Sequence, residues 1–309
     1  MTTSFEWSLP RGTVVKGKWK QGSYRVERLL GEGANGKVFL VERNRGWYAL
    51  KIGADAVDLQ SEVNVLQSIA KQQRGSRTEA FLVDVDDLRG MDGKDYPFYV
   101  MRYIRGATLS EYLARHGMDW FPVVGYSLLG KLGELHEAGW IFGDLKVENV
   151  MVADYGRVDL VDYGGVTAAG KGVRQFTEIY DRGYWNAGTR IAEPGYDLFS
   201  FAVLCIQLHD SRRLANLIGA MLPQMRTPDE LLRLAGTIPA LKPLGGWLRK
   251  ALYGEFSSSR EAAAAWQQWM HRPGTKRSSA PTPGWLKGLF VGSAALLATT
   301  IYWLLQNGL

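Results

Sequence analysis

The chain has 309 residues, of which 46 % are hydrophobic and 22 % charged. This suffices for one large domain or two lobes and excludes a disordered or fibrous chain. A single cysteine, Cys205, lies in the apolar run 199–208 and excludes an internal disulfide, while the four scattered histidines form no zinc-binding pattern. The net charge of +6 sits at the ends: residues 1–30 hold Arg11, Lys16, Lys18, Lys20, Arg25 and Arg28 against Glu6 and Glu27, and residues 271–309 hold Arg272, Lys276, Arg277 and Lys287 with no acid. The body between them is mildly acidic, which argues against a basic nucleic-acid-binding face and favours anionic surfaces met by the ends.

Residues 1–12 are mixed and broken by Pro10 and Gly12, with no apolar signal core. Residues 24–30, 37–43 and 47–53 are rich in β-branched and aromatic residues and separated by glycine-containing turns, which predicts three strands. Residues 59–70 follow with Leu59, Val63, Leu66 and Ile69 on one helical face, and 80–88 and 96–104 predict two more strands. From Leu109 the period becomes helical, over 109–117 and 121–139; two short strands surround 154–164, and helices run from Asp197 to Met270. Residues 271–285 form a basic, Pro/Ser/Thr-rich linker. Residues 288–309 carry no charge and Trp285, Tyr302 and Trp303 stand near the ends of this run, which predicts a membrane-crossing helix over 286–305. The cations that precede it place the folded domain on the cytoplasmic side of the cell membrane as a single-pass protein. Gly288 and Gly292 form a small-xxx-small pair suited to a homodimer contact in lipid.

Two segments carry chemistry. Residues 31–38 read GxGxxGxV between two strands, so Gly31, Gly33 and Gly36 let backbone approach phosphate; the loop leads to a strand, which argues against a dinucleotide turn. Lys51 ends the next strand among apolar residues, where it can hold α- and β-phosphates, with Glu62 on the following helix as its acid and Asp55 and Asp58 as alternatives. Further on, Asp144, Lys146 and Asn149 stand at i, i+2 and i+5, and Asp162-Tyr163-Gly164 follows thirteen residues after Asn149. That order suits phosphoryl transfer from ATP: the first aspartate orients a hydroxyl, while Asn149 and Asp162 hold Mg²⁺, or Mn²⁺.

Taken together these motifs make the chain resemble the bacterial Hanks-type (eukaryotic-like) Ser/Thr protein kinases from about residue 24 to 265, especially the short, C-terminally membrane-anchored kinases of spore-forming Gram-positives. Further likenesses are the hinge-like run 99–109, Leu135-His136-Glu137-Ala138-Gly139, Asp197, and Arg260. The resemblance implies an α+β bilobal fold: a basic extension 1–23, a small β-rich lobe 24–101, a hinge 102–106, a helical lobe 107–270, the linker 271–285 and the membrane helix 286–305. It implies that Gly31, Gly33, Gly36 and Val38 cover ATP, and that Met101, Arg102 and Ile104 line the adenine pocket. It also implies that Lys51 with Glu62 orients the phosphates, that Asp144 and Lys146 act at the γ-phosphate, and that Asp197 braces the catalytic loop. The implied activity is transfer of γ-phosphate to protein hydroxyls, including the chain's own.

Three departures matter. Phe142 and Gly143 stand where the family carries His and Arg, and without that arginine a phosphate on Thr167 or Thr177 has no obvious partner; transfer is therefore expected without phosphorylation of either. The Ala-Pro-Glu motif has no clean match: Ala192-Glu193-Pro194 lies only four residues before Asp197, so Glu178 is the expected partner of Arg260. A glycine before the catalytic aspartate also occurs in aminoglycoside- and sugar-type phosphotransferases, which with a silent pseudokinase scaffold are the alternatives. The basic stretch 14–28 reads as a solvated strand, or as a contact for anionic lipid or nucleic acid through Trp19 or Tyr24.

Overall fold

The computed structural model describes residues 8–33, 36–53, 55–72, 81–90, 92–174, 176–271 and 284–306. The chain divides into two units, Met1–Trp269 and Met270–Leu309.

The first unit starts with an antiparallel sheet, ordered β1-β2-β3-β4-β6-β5. Its strands are β1 (Val14–Lys16), β2 (Ser23–Gly33), β3 (Gly36–Arg43), β4 (Gly46–Gly53), β5 (Leu82–Arg89) and β6 (Asp95–Arg102). Alternation puts Tyr24, Val26, Phe39, Val41, Leu50, Ile52, Phe98 and Val100 into one buried cluster. Helix α1 (Ala56–Gln72) covers the other face, where Leu59, Val63 and Leu66 meet Ala49, Tyr99 and Met101. Asp55 starts the helix by accepting from the N–H groups of Val57 and Asp58.

The basic N-terminal stretch belongs to this sheet. β1 pairs with β2, and the residues after it reach the opposite edge: Lys18 N–H donates to the Asp87 carbonyl, and Trp19 and Lys20 N–H to the buried Asp86 carboxylate. The Lys18 and Lys20 ammonium groups pair with Asp95 and Asp84 at 2.7 and 3.0 Å. A strap across both edges blunts them against pairing with other chains. These two cations are neutralised within the fold, which weakens the reading of the stretch as a lipid or nucleic-acid contact.

The rest of the first unit is mainly helical, with five short strands among its described residues. It contains β7 (Ala107–Thr108), α2 (Leu109–His116), α3 (Phe121–Glu137), β8 (Trp140–Ile141), β9 (Val150–Val152), β10 (Val158–Leu160) and β11 (Thr167–Ala168). Helices α4 (Pro194–Ala220), α5 (Pro228–Thr237), α6 (Gly245–Leu252) and α7 (Ser259–Met270) follow. Thr108 and Glu111 form a reciprocal capping box at the start of α2. An aromatic cluster of Phe121, Phe201, Trp247, Trp266 and Trp269 ties α3, α4, α6 and α7 together edge to face, with centroids 5.0–5.5 Å apart. Two short pairings, β9 with β10 and β8 with β11, hold the loops between α3 and α4.

In the second unit, α8 (Gly284–Gln306) forms where a membrane helix is expected, and its described large apolar residues, among them Leu289, Phe290, Val291, Leu296 and Leu297, are exposed. Among the described residues no helix is long and apolar enough to cross a membrane. Most of the expected linker 271–285 lies outside the described residues.

Candidate active site

Lys51 is the centre of the site. Across the sheet it pairs with Val38 on β3 and Tyr99 on β6. Its ammonium bonds both oxygens of Glu62 on α1, at 2.8 and 3.0 Å, and Oδ1 of Asp162 at 2.9 Å. Lys51 and Glu62 are each only 4 % exposed, and the buried Tyr99 hydroxyl donates to Glu62 Oε1 at 2.8 Å. Burial by itself lowers the Lys51 ammonium; the charges of Glu62 and Asp162 outweigh it and raise the group above its ordinary value. Burial pushes the Asp162 carboxyl up, but the charge and hydrogen bond of Lys51 win and hold it below the usual carboxylate range. Asp55 and Asp58, the alternative partners, are not part of this group.

The glycine loop joins the strands next to Lys51, whose partner on β3 is Val38. Gly31 pairs with Val38 and Gly33 with Gly36. Gly36 has φ +131°, and a Cβ there would run into the Ile52 carbonyl, so this turn requires glycine. Beside Gly31 and Gly33 there is open space, as a phosphate cover needs. Met101 is buried on β6 opposite Ala49. The Arg102 N–H donates to the Phe81 carbonyl at 2.9 Å, so only the Arg102 carbonyl is left as a hinge group beside buried Ile104. The Arg102 side chain turns away to Asp159 at 3.3 Å.

Asp197, wholly buried in α4, accepts from Phe142 N–H at 2.7 Å, Gly143 N–H at 2.9 Å and His136 Nε2 at 2.8 Å. The other ring nitrogen of His136 bonds the hydroxyl of Ser259 at the start of α7. This network fixes the backbone just before Asp144. Gly143 has φ +80°, and a Cβ there would lie 2.8 Å from the Gly165 carbonyl, so the backbone itself demands glycine where an arginine was expected. Phe142 is fully buried with its ring edge-on to Tyr163 at 5.9 Å, an apolar contact in place of a polar one.

Asp144 is held by three groups. Lys146 Nζ donates to its Oδ2 at 2.6 Å, Thr177 Oγ1 to its Oδ1 at 2.8 Å, and the Asn149 amide to its carbonyl at 2.9 Å. With its amide nitrogen engaged, Asn149 has Oδ1 left as a ligand atom. Asp162, whose side chain is 45 % exposed, has Oδ2 beside the Lys51-bound Oδ1. One carboxylate and one amide oxygen suit Mg²⁺, which takes its remaining ligands from phosphate and water. Among the described residues no group of three or more His, Cys, Asp or Glu could hold a metal ion.

Thr177 is a site residue that sequence reasoning treated only as a phosphate acceptor. Its hydroxyl is committed to Asp144, and the Thr167 hydroxyl, buried, to the Gly165 carbonyl. Neither is presented for modification. The expected Arg260–Glu178 pair does not form: Arg260 bonds Glu137 on α3 at 2.5 Å. The acid after the loop is Glu193, which pairs with Arg182 at 2.6 Å; buried Asp181 takes Arg190 at 2.6 Å and the Tyr196 hydroxyl at 2.9 Å. Residues 181–193 are thereby held together by their own ion pairs.

The profile of the protein kinase domain matches residues 24–224. The serine/threonine-protein kinase YabT of Bacillus subtilis (strain 168) is 39 % identical over 261 residues, which cover 84 % of this chain and 75 % of that protein. The serine/threonine-protein kinase PknL of Mycobacterium tuberculosis is 36 % identical over 135 residues, 41 % of this chain and 33 % of the relative. Among solved structures, the M. tuberculosis PknI kinase domain superposes with a TM-score of 0.57 at 22 % identity, covering 85 % of this chain and 99 % of that one. Vaccinia related kinase 3 gives 0.56 at 16 %, covering 88 % and 95 %. At these identities the two structures show a shared fold.

Proposed function

This chain belongs to the protein kinase domain family and is an ATP-dependent serine/threonine kinase, and from that premise we propose that it is a membrane-anchored enzyme that phosphorylates serine or threonine hydroxyls of proteins, its own among them. The observation that carries the catalytic part is Lys51 bridging Glu62 and Asp162. A silent scaffold has no need of these three charges held on one another. Thr177, bonded to Asp144 from 33 residues further along, brings the segment before α4 up to the reacting aspartate, which favours a protein hydroxyl over a small molecule.

Bound Mg²⁺-ATP supplies the transferable phosphoryl group and the cation that offsets its charge. The residues of the chain do the positioning. Gly31, Gly33, Gly36 and Val38 cover the nucleotide, with Met101 behind the adenine and the Arg102 carbonyl and Ile104 backbone at its edge. Lys51, fixed by Glu62, would hold the inner phosphates, and Asn149 and Asp162 would hold the metal. Asp144 aligns the acceptor hydroxyl and receives its proton as the oxygen attacks the γ-phosphorus, whose bond to the bridging oxygen breaks to release ADP. Lys146, already 2.6 Å from Asp144, is the cation nearest the transferred group. The test is transfer of labelled phosphate by the full-length chain to a generic basic protein and to itself, compared with Asp144→Asn and Asp162→Asn. ATP binding with no transfer by the parent chain would establish a scaffold instead.

Anchoring rests on the uncharged stretch 288–309, the exposed apolar surface of α8 and the cations that precede it. On this reading the kinase domain is cytoplasmic, and Gly288 and Gly292 give a face for a second copy. Extraction of the chain from membranes by alkaline carbonate would refute the span, and cross-linking that yields only monomer would refute the dimer.

A further inference from the structure

The segment that starts at Asp162 meets helix α1 at two places: Tyr163 packs against the cluster that holds Leu59, Val63 and Leu66, and Arg174 reaches the helix further on. Arg174 Nη1 donates to Ser61 Oγ at 2.8 Å, across 113 residues of sequence. Ser61 immediately precedes Glu62, the residue that holds Lys51. The backbone on the other side of this contact is also fixed. Val173 N–H donates to the Arg190 carbonyl at 2.8 Å, and Gly172 bridges to Ile191. Arg190 and Asp181 are in turn ion-paired at 2.6 Å. The backbone at 172–173, held to 190–191, therefore presents the Arg174 guanidinium to α1 in addition to the Tyr163 packing, with Thr167 and Thr177 both committed elsewhere.

We propose that Arg174 is a positioning residue: its bond to Ser61 holds α1 against the segment that starts at Asp162 and so keeps Glu62 on Lys51 without any phosphate. It acts through Ser61 and α1 and touches neither nucleotide nor substrate. The proposal rests on the kinase reading above and adds how the active arrangement is maintained. It also accounts for Gly143. The usual arginine beside the catalytic aspartate would meet a loop phosphate; here the cation comes from the loop itself and meets a neutral hydroxyl.

The test uses the full-length chain and four variants: Arg174→Ala, Ser61→Ala, the double variant, and Arg174→Lys. A charge-assisted hydrogen bond at a solvated position predicts a roughly two- to tenfold fall in kcat for Arg174→Ala. Its melting temperature should stay unchanged, because the contact is exposed. Ser61→Ala should lose a similar factor, the double variant no more than the worse single one, and Arg174→Lys, which keeps a donor, should recover most of the rate. Hydrogen exchange across residues 56–72 should quicken in Arg174→Ala. Independent, multiplicative losses in the double variant, or α1 exchange identical to that of the parent, would overturn the tether. Exchange needs no turnover, so it reads the tether even if the parent transfers no phosphate, a result that would count against the kinase reading alone.

Discussion

Replacing Lys51 by methionine removes one cation from two carboxylates and keeps the side-chain volume. Glu62, with a side chain 3 % exposed, would retain only the Tyr99 hydroxyl, whereas Asp162, at 45 %, would regain water. Breaking a fully buried pair by removing one partner costs about 3–5 kcal/mol. Because Asp162 can be rehydrated and α1 can shift outward, about 2–4 kcal/mol is expected here. That corresponds to a drop in Tm of roughly 5–12 °C for a domain of this size. The pH dependence has a definite sign. Asp162 is held below its ordinary range, so its share of the stability is present above that range and is lost as pH falls through the lowered value. Lys51 is raised, so its share is present below its ordinary value of 10.5 and lost only as pH rises through a still higher one. The stability gap between the two proteins should therefore be full at neutrality, flat from about pH 5 to 9, and closing in strong acid. Chemical denaturation of both proteins, followed by far-UV circular dichroism at several pH values, measures it. A gap below ~1 kcal/mol at pH 7, or one that grows on acidification, would refute the electrostatic account.

Thr177→Ala should lower kcat about tenfold or more with little change in stability, because Asp144 loses a hydroxyl donor, and Thr177→Ser should restore the rate. Gly143→Ala should cost about 1–3 kcal/mol in a denaturant titration, since φ +80° is strained for any Cβ and the new methyl would meet the Gly165 carbonyl; stability equal to the parent would sink this account of the position. Ser259→Ala should cost about 1–2 kcal/mol by leaving one nitrogen of buried His136 unpartnered, and Ser259→Thr should recover part of it.

The small lobe was largely legible because each strand carries its own signal. Tyr24, Val26, Phe39 and Val41 alternate in sequence and are buried together in the fold. The Lys51–Glu62 pair was legible because an apolar strand end and an amphipathic helix leave few acids in reach. What could not be read depends on closure of distant segments. Nothing local in Thr177 marks it as lying 33 residues on from, and in contact with, Asp144. Glu193 was set aside because it lies so close to Asp197, yet α4 begins at Pro194 with no spacer, and the acid serves Arg182. Arg260 was matched to the wrong acid because α7 returns to the end of α3, where Glu137 is nearer. The strap at 17–20 was hidden for a related reason, since its acids come from β5 and the start of β6, more than sixty residues away.

The aromatic cluster of the large lobe gives the molecule an uneven optical signature. Of its 11 tryptophans, Trp185, Trp247, Trp266 and Trp269 are buried among the helices, while Trp19 and Trp47 on the small lobe are already in contact with water. Intrinsic fluorescence should therefore shift to the red when the helical lobe opens and stay nearly silent when only the sheet and α1 loosen. A tryptophan emission melt compared with far-UV circular dichroism would then separate the two lobes of one chain without any added dye.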